Sequence, residues 1–415
     1  MKVVESKKAG KIIAQLVSRG SVNTNKAEPV ARTIIGDVRK GGDRALRRHA
    51  EKWDGLGKDQ LLRVTAEEIK AAWQSVSPEL RDALKQAANN IRRFCEWQKL
   101  AEWTEESQPG IRVGQVLRPL DSAGCYVPGG RYPLPSTMLM TVIPAQIAGV
   151  KRIAVVSPKP AKETLAAASM LGITELYRFG GAQAIAALAY GTETIKPVVK
   201  IVGPGNSFVT AAKKLVSFDC AIDMLAGPTE VAIVSGAGNP AFIAADLVAQ
   251  SEHDPETLAV FITTNSKLAK QVVAEAKRQA KDNSIARKSI SKNAVALVTR
   301  SREESFVIAN ALAPEHISVD CEEDVAHISS AGSVFVGQWS AQSVGDYASG
   351  PNHTLPTGAA ARFRGGLSVL DFLKIITVQQ LSREGLEQIA GCVAALAAAE
   401  GLKAHANSLC VRLKK

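Results

Sequence analysis

Short apolar runs rich in β-branched residues recur through this chain at intervals that point to one class of fold. The first series reads RIAVVS, ELYRF and VVKIVG, and the second reads VAIVS, LAVFITT, AVALVT and GSVFVG. Amphipathic stretches long enough for helices lie between them. Buried strands separated by helical crossovers define a parallel, doubly wound sheet of the α/β class. The rhythm begins near residue 111 and restarts after Glu230, so two α/β units are expected, 111–229 and 230–368. No clean sequence repeat relates them, although a duplication would produce this pattern.

The flanking segments read as helical. From about residue 24 to 106 Thr65 and Glu68 form a capping-box pair, and Ser77 caps a helix whose first-turn residue is Pro78. Leu80, Leu84, Ala87, Ile91 and Phe94 then place one apolar stripe along that helix. Residues 1–110 are therefore expected to be a helical segment packed on the first α/β unit. Residues 341–367, rich in Gly, Pro and Asn, are expected to be irregular. From about Val369 to Ala399 the pattern returns to helix, so 369–415 is expected to be a helical tail, which the family resemblance described below would have reaching toward a partner subunit.

With 415 residues, 46% of them hydrophobic, the chain can bury a large core. A net charge of +11 raises the question of an acidic partner, but the basic residues are interleaved with acids and only 5% of residues are aromatic. No basic arm or stacking surface results, so nucleic-acid binding is not expected. The opening MKVVESKKAGKIIAQLVSRG interrupts its apolar stretches with charges, unlike a signal peptide, and no run reaches membrane-spanning length. A cytoplasmic protein with no membrane partner is the resulting expectation. The six cysteines (Cys95, Cys125, Cys220, Cys321, Cys392 and Cys410) form no C-x-x-C pair and are expected to be reduced and mostly buried.

Four of the six histidines lie in dense polar or Gly-Pro surroundings. Gln250 and His253 share a face near the end of a helix capped by Asn239 and Pro240. Imidazole with an amide or carboxylate oxygen suits a divalent metal. On these two residues alone, a histidine favoured by the helix dipole is the simpler account. Glu315 and His316 fall where a helix gives way to a strand, a junction suited to acid–base work if their environments separate their pKa values. Asp346 and His353 lie in one loop shaped by Gly345, Gly350, Pro351 and Pro356. Gly129-Gly130, Gly180-Gly181 and Gly203-Pro204-Gly205-Asn206 are candidate phosphate turns, balanced against a role as tight packing turns. Phe208 stands where the third glycine of a dinucleotide fingerprint would fall, which argues against the standard binding mode.

Taken in order, GCYVPGGRYPLPSTMLMTVIPAQIAGV, FGGAQAIAALAYGT, IVGPGNSFVTAAKKLV, IDMLAGPTEV, AQSEHDP, APEHIS, GDYASGPNHTLPTG and EGLKAHA resemble the histidinol dehydrogenase family almost end to end. The resemblance implies two Rossmann-like doubly wound parallel-sheet domains with helical N-terminal and C-terminal extensions. It implies a homodimeric enzyme with one Zn2+ per subunit that oxidises L-histidinol to L-histidine through a bound aldehyde, using two NAD+, in the last steps of histidine biosynthesis. The family's zinc ligands fall on Gln250, His253, Asp346 and His405, the last supplied by the partner subunit, so the active sites are shared. Glu315 and His316 match the catalytic pair. Thr229, His353 and Glu400 match substrate contacts, together with the metal ligands and His316, and Thr229 replaces a more usual serine. Tyr126, Gln183 and Asn206 match the NAD contacts. Phe208 stands where tyrosine is usual, and Ser318 where an acid or amide is common. A related zinc- and NAD-dependent dehydrogenase acting on another polyol or amino alcohol is the neighbouring alternative.

Overall fold

The apolar runs fold as the strands of two parallel sheets. The computed structural model describes residues 1–19, 25–129 and 132–414; Gly130, half of one predicted glycine pair, lies outside the described residues. In chain order the strands are β1 (Lys2–Glu5), β2 (Trp103–Gln108), β3 (Ile111–Pro119), β4 (Ser122–Tyr126), β5 (Arg152–Val156), β6 (Leu176–Tyr177), β7 (Lys200–Val202), β8 (Ala221–Ile222), β9 (Glu230–Val234), β10 (Leu258–Thr263), β11 (Ala294–Val298), β12 (His316–Val319), β13 (Ser333–Val336) and β14 (Leu373–Leu381). One parallel sheet has the order β6-β5-β4-β7-β8 and the other β1-β11-β10-β9-β12-β13. Apart from β1 at its edge, the second sheet repeats the order of the first. In each, the chain starts at a central strand, steps outward twice, then crosses back to the other side. That reversal creates a switch point, between β4 and β7 in one sheet and between β9 and β12 in the other.

Side-chain alternation explains why helices must cover both faces. In the second sheet Val231, Ile233, Ala259 and Phe261 pack with residues of the helices Pro240–Ser251, Ser266–Gln279 and Ser284–Lys292. Their neighbours Ala232, Val234, Val260 and Ile262 point the other way, onto Phe306, Ala309 and Leu312 of helix Arg302–Leu312. Burying Phe261 alone contributes about 1.5–3 kcal/mol. In the first sheet every residue of β4 is buried. Helix Pro135–Ala148 is buried on all sides from Ser136 to Ala145, so it shows no amphipathic stripe. Thr65 and Glu68 form the predicted capping box, and Ser77 caps the helix Pro78–Trp97. At the second switch point the Gly236 N–H, just past β9, donates to Asp320 Oδ2, just past β12, at 2.8 Å.

By internal contacts the chain divides into two units, residues 1–98 with 121–372, and residues 99–120 with 373–415. Both parallel sheets belong to the first. The second holds the three-stranded antiparallel sheet β14-β3-β2 and the helices Arg383–Ala399 and Lys403–Leu413. Several expectations change here. Residues 373–381 are a strand, not the start of a helix, because the β-branched run Ile-Ile-Thr-Val pairs along the whole of β3. Trp103–Gln108 is likewise a strand, and the N-terminal segment contributes β1 to the second sheet. Residues 341–367 contain a short helix, Gln342–Tyr347. Of the six free cysteines, only Cys95, Cys125 and Cys220 are buried, while Cys392 and Cys410 are exposed. Among the described residues no helix is long and apolar enough to cross a membrane.

Candidate active site

Glu315 and His316 owe their position to a forced helix stop. Helix Arg302–Leu312 ends at Ala313, which adopts the left-handed conformation (φ 45°, ψ 62°), and Pro314 cannot extend a helix. The chain then enters β12 at His316, which pairs in register with Val231 of β9. The pair thus sits at the amino ends of two adjacent central strands.

Glu315 is 7% exposed. Its Oε2 accepts the Glu230 N–H at 3.0 Å and the Thr229 hydroxyl at 2.5 Å. Burial pushes this carboxyl up to about 7, against the opposing pull of His316 and of those hydrogen bonds. His316, 3% exposed, points Nδ1 at the Glu230 carbonyl oxygen, 3.3 Å away. A carbonyl only accepts, so Nδ1 carries the proton and the neutral ring keeps its lone pair on Nε2. That nitrogen lies 3.7 Å from Asp346 Oδ1. Burial draws the imidazole pKa down, but Glu315, Asp346 and the Glu230 carbonyl together outweigh it and leave it raised. A buried acid shifted up beside an imidazole with a defined tautomer is an arrangement that can pass protons near neutral pH.

Around this pair the structure gathers further predicted residues. Gln250, at the buried end of helix Pro240–Ser251, donates from Nε2 to Asp346 Oδ2 at 3.2 Å. Its Oε1 is 3.2 Å from the Thr229 hydroxyl. Burial pushes the Asp346 carboxyl up, but the nearby imidazole of His316, and then those of His353 and His253, prevail and hold it below the usual range. His353 donates from Nδ1 to the Asp346 carbonyl at 2.9 Å, and its Nε2 is 3.4 Å from the Thr137 hydroxyl. Burial pulls the His353 imidazole down. Thr229, Gln250, Glu315, His316, Asp346 and His353 therefore form one connected polar network. His253 is exposed at the helix end, and its backbone N–H reaches the Gln250 carbonyl at 3.3 Å. Glu400 and His405 belong to the second unit, where both are exposed. Among the described residues no three His, Cys, Asp or Glu side chains form a group able to hold a metal. An amide, a carboxylate and an imidazole nevertheless make a donor set that suits a first-row divalent ion once a further ligand is added.

The remaining candidates lie on the first sheet. Tyr126 ends β4, and its hydroxyl accepts the Gly181 N–H at 3.1 Å. Gln183 is buried on the helix Gly181–Tyr190 and donates to Asp54 Oδ2 at 3.0 Å. Asn206 caps the helix Ser207–Val216 by accepting the N–H groups of Phe208 and Val209. Gly203, at φ 113°, comes so close to Tyr126 that a Cβ there would lie 2.2 Å from the Tyr126 carbonyl oxygen. The first switch point thus carries the glycine turn and the predicted NAD residues. Sequence reasoning missed Asp54, Thr137, Glu230 and Arg19, which act through partners far away in the chain; Arg19 and Glu230 are 211 positions apart.

Two doubly wound sheets, with glycine turns at the carboxyl ends of one and a buried Glu–His pair at the amino ends of the other, define an α/β protein with a candidate acid–base site. The sequence model of one such family, described as histidinol dehydrogenase, matches residues 17–413. The chain belongs to the histidinol dehydrogenase family. It is 45% identical to the histidinol dehydrogenase of Methanothermobacter thermautotrophicus over 97% of each chain. Against that of Geobacillus kaustophilus it is 46% identical, over 92% of this chain and 93% of the relative. The crystal structure of histidinol dehydrogenase from Elizabethkingia anophelis superposes with a TM-score of 0.95 at 37% identity, covering 100% of this chain and 98% of that one.

Proposed function

We propose that this protein oxidises L-histidinol to L-histidine through a bound aldehyde, using two NAD+, in histidine biosynthesis. The observation that carries the reading is the buried Glu315–His316 pair, joined through Thr229 and Asp346 to Gln250. His316 takes the alcohol proton on Nε2, since its Nδ1 proton is committed to Glu230. Glu315 then draws a proton from water as the aldehyde is hydrated, and a carboxyl titrating at about 7 is suited to that exchange. His316 assists the second oxidation, and burial of both groups keeps bulk water from the intermediate.

Gln250, His253 and Asp346, with His405 of a second copy of this chain, would hold a zinc ion. When bound, the metal would orient the amino alcohol and polarise its oxygen. Thr229, His353 and Glu400 would contact the substrate. Tyr126, Gln183 and Asn206 would hold NAD+, which when bound would supply the hydride acceptor, so that residues 111–229 would form the cofactor side and 230–368 the chemical side. A homodimer is favoured by the second unit, whose three-stranded sheet and helices expose Trp103, Ile375, Ile376, Leu396 and Val411. A small sheet with bare apolar residues gains most from a partner.

The deciding measurement is NADH formed per histidinol consumed by the zinc-loaded protein. Two equivalents, with histidine as the product, are expected. A single equivalent, or turnover of another alcohol only, would overturn the proposal.

A further inference from the structure

We infer that Glu230, locked by Arg19, is a positioning residue for the Glu315–His316 pair. One residue sets both members. The Glu230 N–H holds Glu315 Oε2 at 3.0 Å, and the Glu230 carbonyl accepts from His316 Nδ1 at 3.3 Å. The first bond aims the carboxylate, and the second selects the imidazole tautomer and so frees Nε2.

What fixes that peptide is an ion pair. The Glu230 residue is 4% exposed, and its carboxylate accepts Arg19 Nε at 2.7 Å, Arg19 Nη2 at 2.6 Å and the Gly358 N–H at 3.0 Å. Two parallel bonds from one guanidinium constrain direction as well as distance. Arg19 Nη2 also donates to the Leu312 carbonyl at 2.8 Å. Leu312 is the last residue of the helix that delivers Ala313, Pro314 and Glu315. The same guanidinium therefore clamps both strand entrances, β9 through Glu230 and β12 through Leu312. A buried ion pair is poor glue compared with apolar packing of equal volume. Its geometry explains its presence better than any gain in stability.

This inference rests on the roles proposed for Glu315 and His316. Arg19→Ala is expected to lower kcat for histidinol oxidation by about 10–100-fold, the usual cost of losing such a support. KM for NAD+ should stay unchanged, since among the described residues Arg19 hydrogen-bonds Glu230, Leu16 and Leu312 and none of the first sheet, and guanidinium ion at sub-denaturing concentration should restore part of kcat. Glu230→Gln, which keeps an acceptor for Gly358 and loses the charge, should show the same loss if Arg19→Ala does not fold. Leu268→Ala, a core change on the helix Ser266–Gln279 that packs on the second sheet, should lower thermal stability and leave kcat unaltered. NMR of protein labelled with 15N-histidine, assigned through His316→Gln at a pH where the ring is neutral, reads the tautomer without turnover. The wild type should be protonated on Nδ1, and Arg19→Ala should be a mixture. Unaltered kcat in both variants overturns the inference, as does a loss of kcat with neither guanidinium rescue nor a change of tautomer. If the wild type fails to oxidise histidinol, the proposed function falls, and the NMR result still decides whether Arg19 and Glu230 set His316.

Discussion

Thr229 has one hydroxyl proton and two acceptors within reach, Glu315 Oε2 and Gln250 Oε1. Only one can be served at a time, which couples the acid–base pair to the predicted metal ligands through a single O–H. Thr229→Val should leave both acceptors short of a donor in a nearly closed site and cost about 1–3 kcal/mol in urea unfolding. Thr229→Ser keeps the hydroxyl and should stay within about 0.5 kcal/mol of the wild type. A loss in Thr229→Ser with none in Thr229→Val would mean that the methyl group, not the hydroxyl, matters. At this scale the sequence disclosed the residues whose type announces chemistry. Glu315 and His316 stood out because a helix had to stop at Ala313-Pro314. Arg19 and Glu230 did not, because a salt bridge between residues 211 positions apart leaves no local signature.

Helices Pro240–Ser251 and Gln342–Tyr347 meet through two rungs spaced four residues apart on each, Asp246 with Gln342 and Gln250 with Asp346. In the rear rung the Gln342 N–H reaches Asp246 Oδ1 at 3.4 Å. Burial pushes Asp246 up to about 6 from an ordinary value of 3.8, with the Gln342 N–H pulling the other way. The folded state then retains a proton that the unfolded chain releases, so Asp246 erodes stability as pH rises through that interval. Asp246→Asn should remove this dependence. Melting temperatures followed from pH 4 to pH 7 should fall in the wild type relative to the variant, and parallel curves would argue that the carboxyl is ionised throughout. Elements were legible where periodicity and caps agreed, as at Thr65 and Ser77. They were misread at β14, where Leu373 and Ile376, and then Ile375, Val378 and Leu381, recur every three residues as on a helix. Its partner β3 lies more than 250 positions earlier, too distant for any local pattern to register.

For the molecule as a whole, the proposed completion of the site by His405 of a second chain has a consequence for mixtures. His405→Ala and Gln250→Ala should each be inactive alone. Dissociated and reassociated together, they should regain up to about a quarter of wild-type activity, because half of the random dimers are hybrids and each hybrid has one intact site. No recovery, in protein shown by sedimentation to have exchanged subunits, would place His405 outside the partner's site. The doubled α/β architecture was legible in the rhythm of apolar runs. Which end of each sheet gathers the candidate residues was not, since that depends on spatial neighbours. The Gly236–Asp320 bond bears on this directly. It sets a carboxylate at the second switch point, where a doubly wound sheet would otherwise receive a phosphate. A nucleotide approaching there meets like charge instead of open N–H donors. Of two sheets with the same strand order, the first is then the one expected to take the cofactor, and calorimetric titration should count a single NAD+ per chain, with a second equivalent counting against this reading.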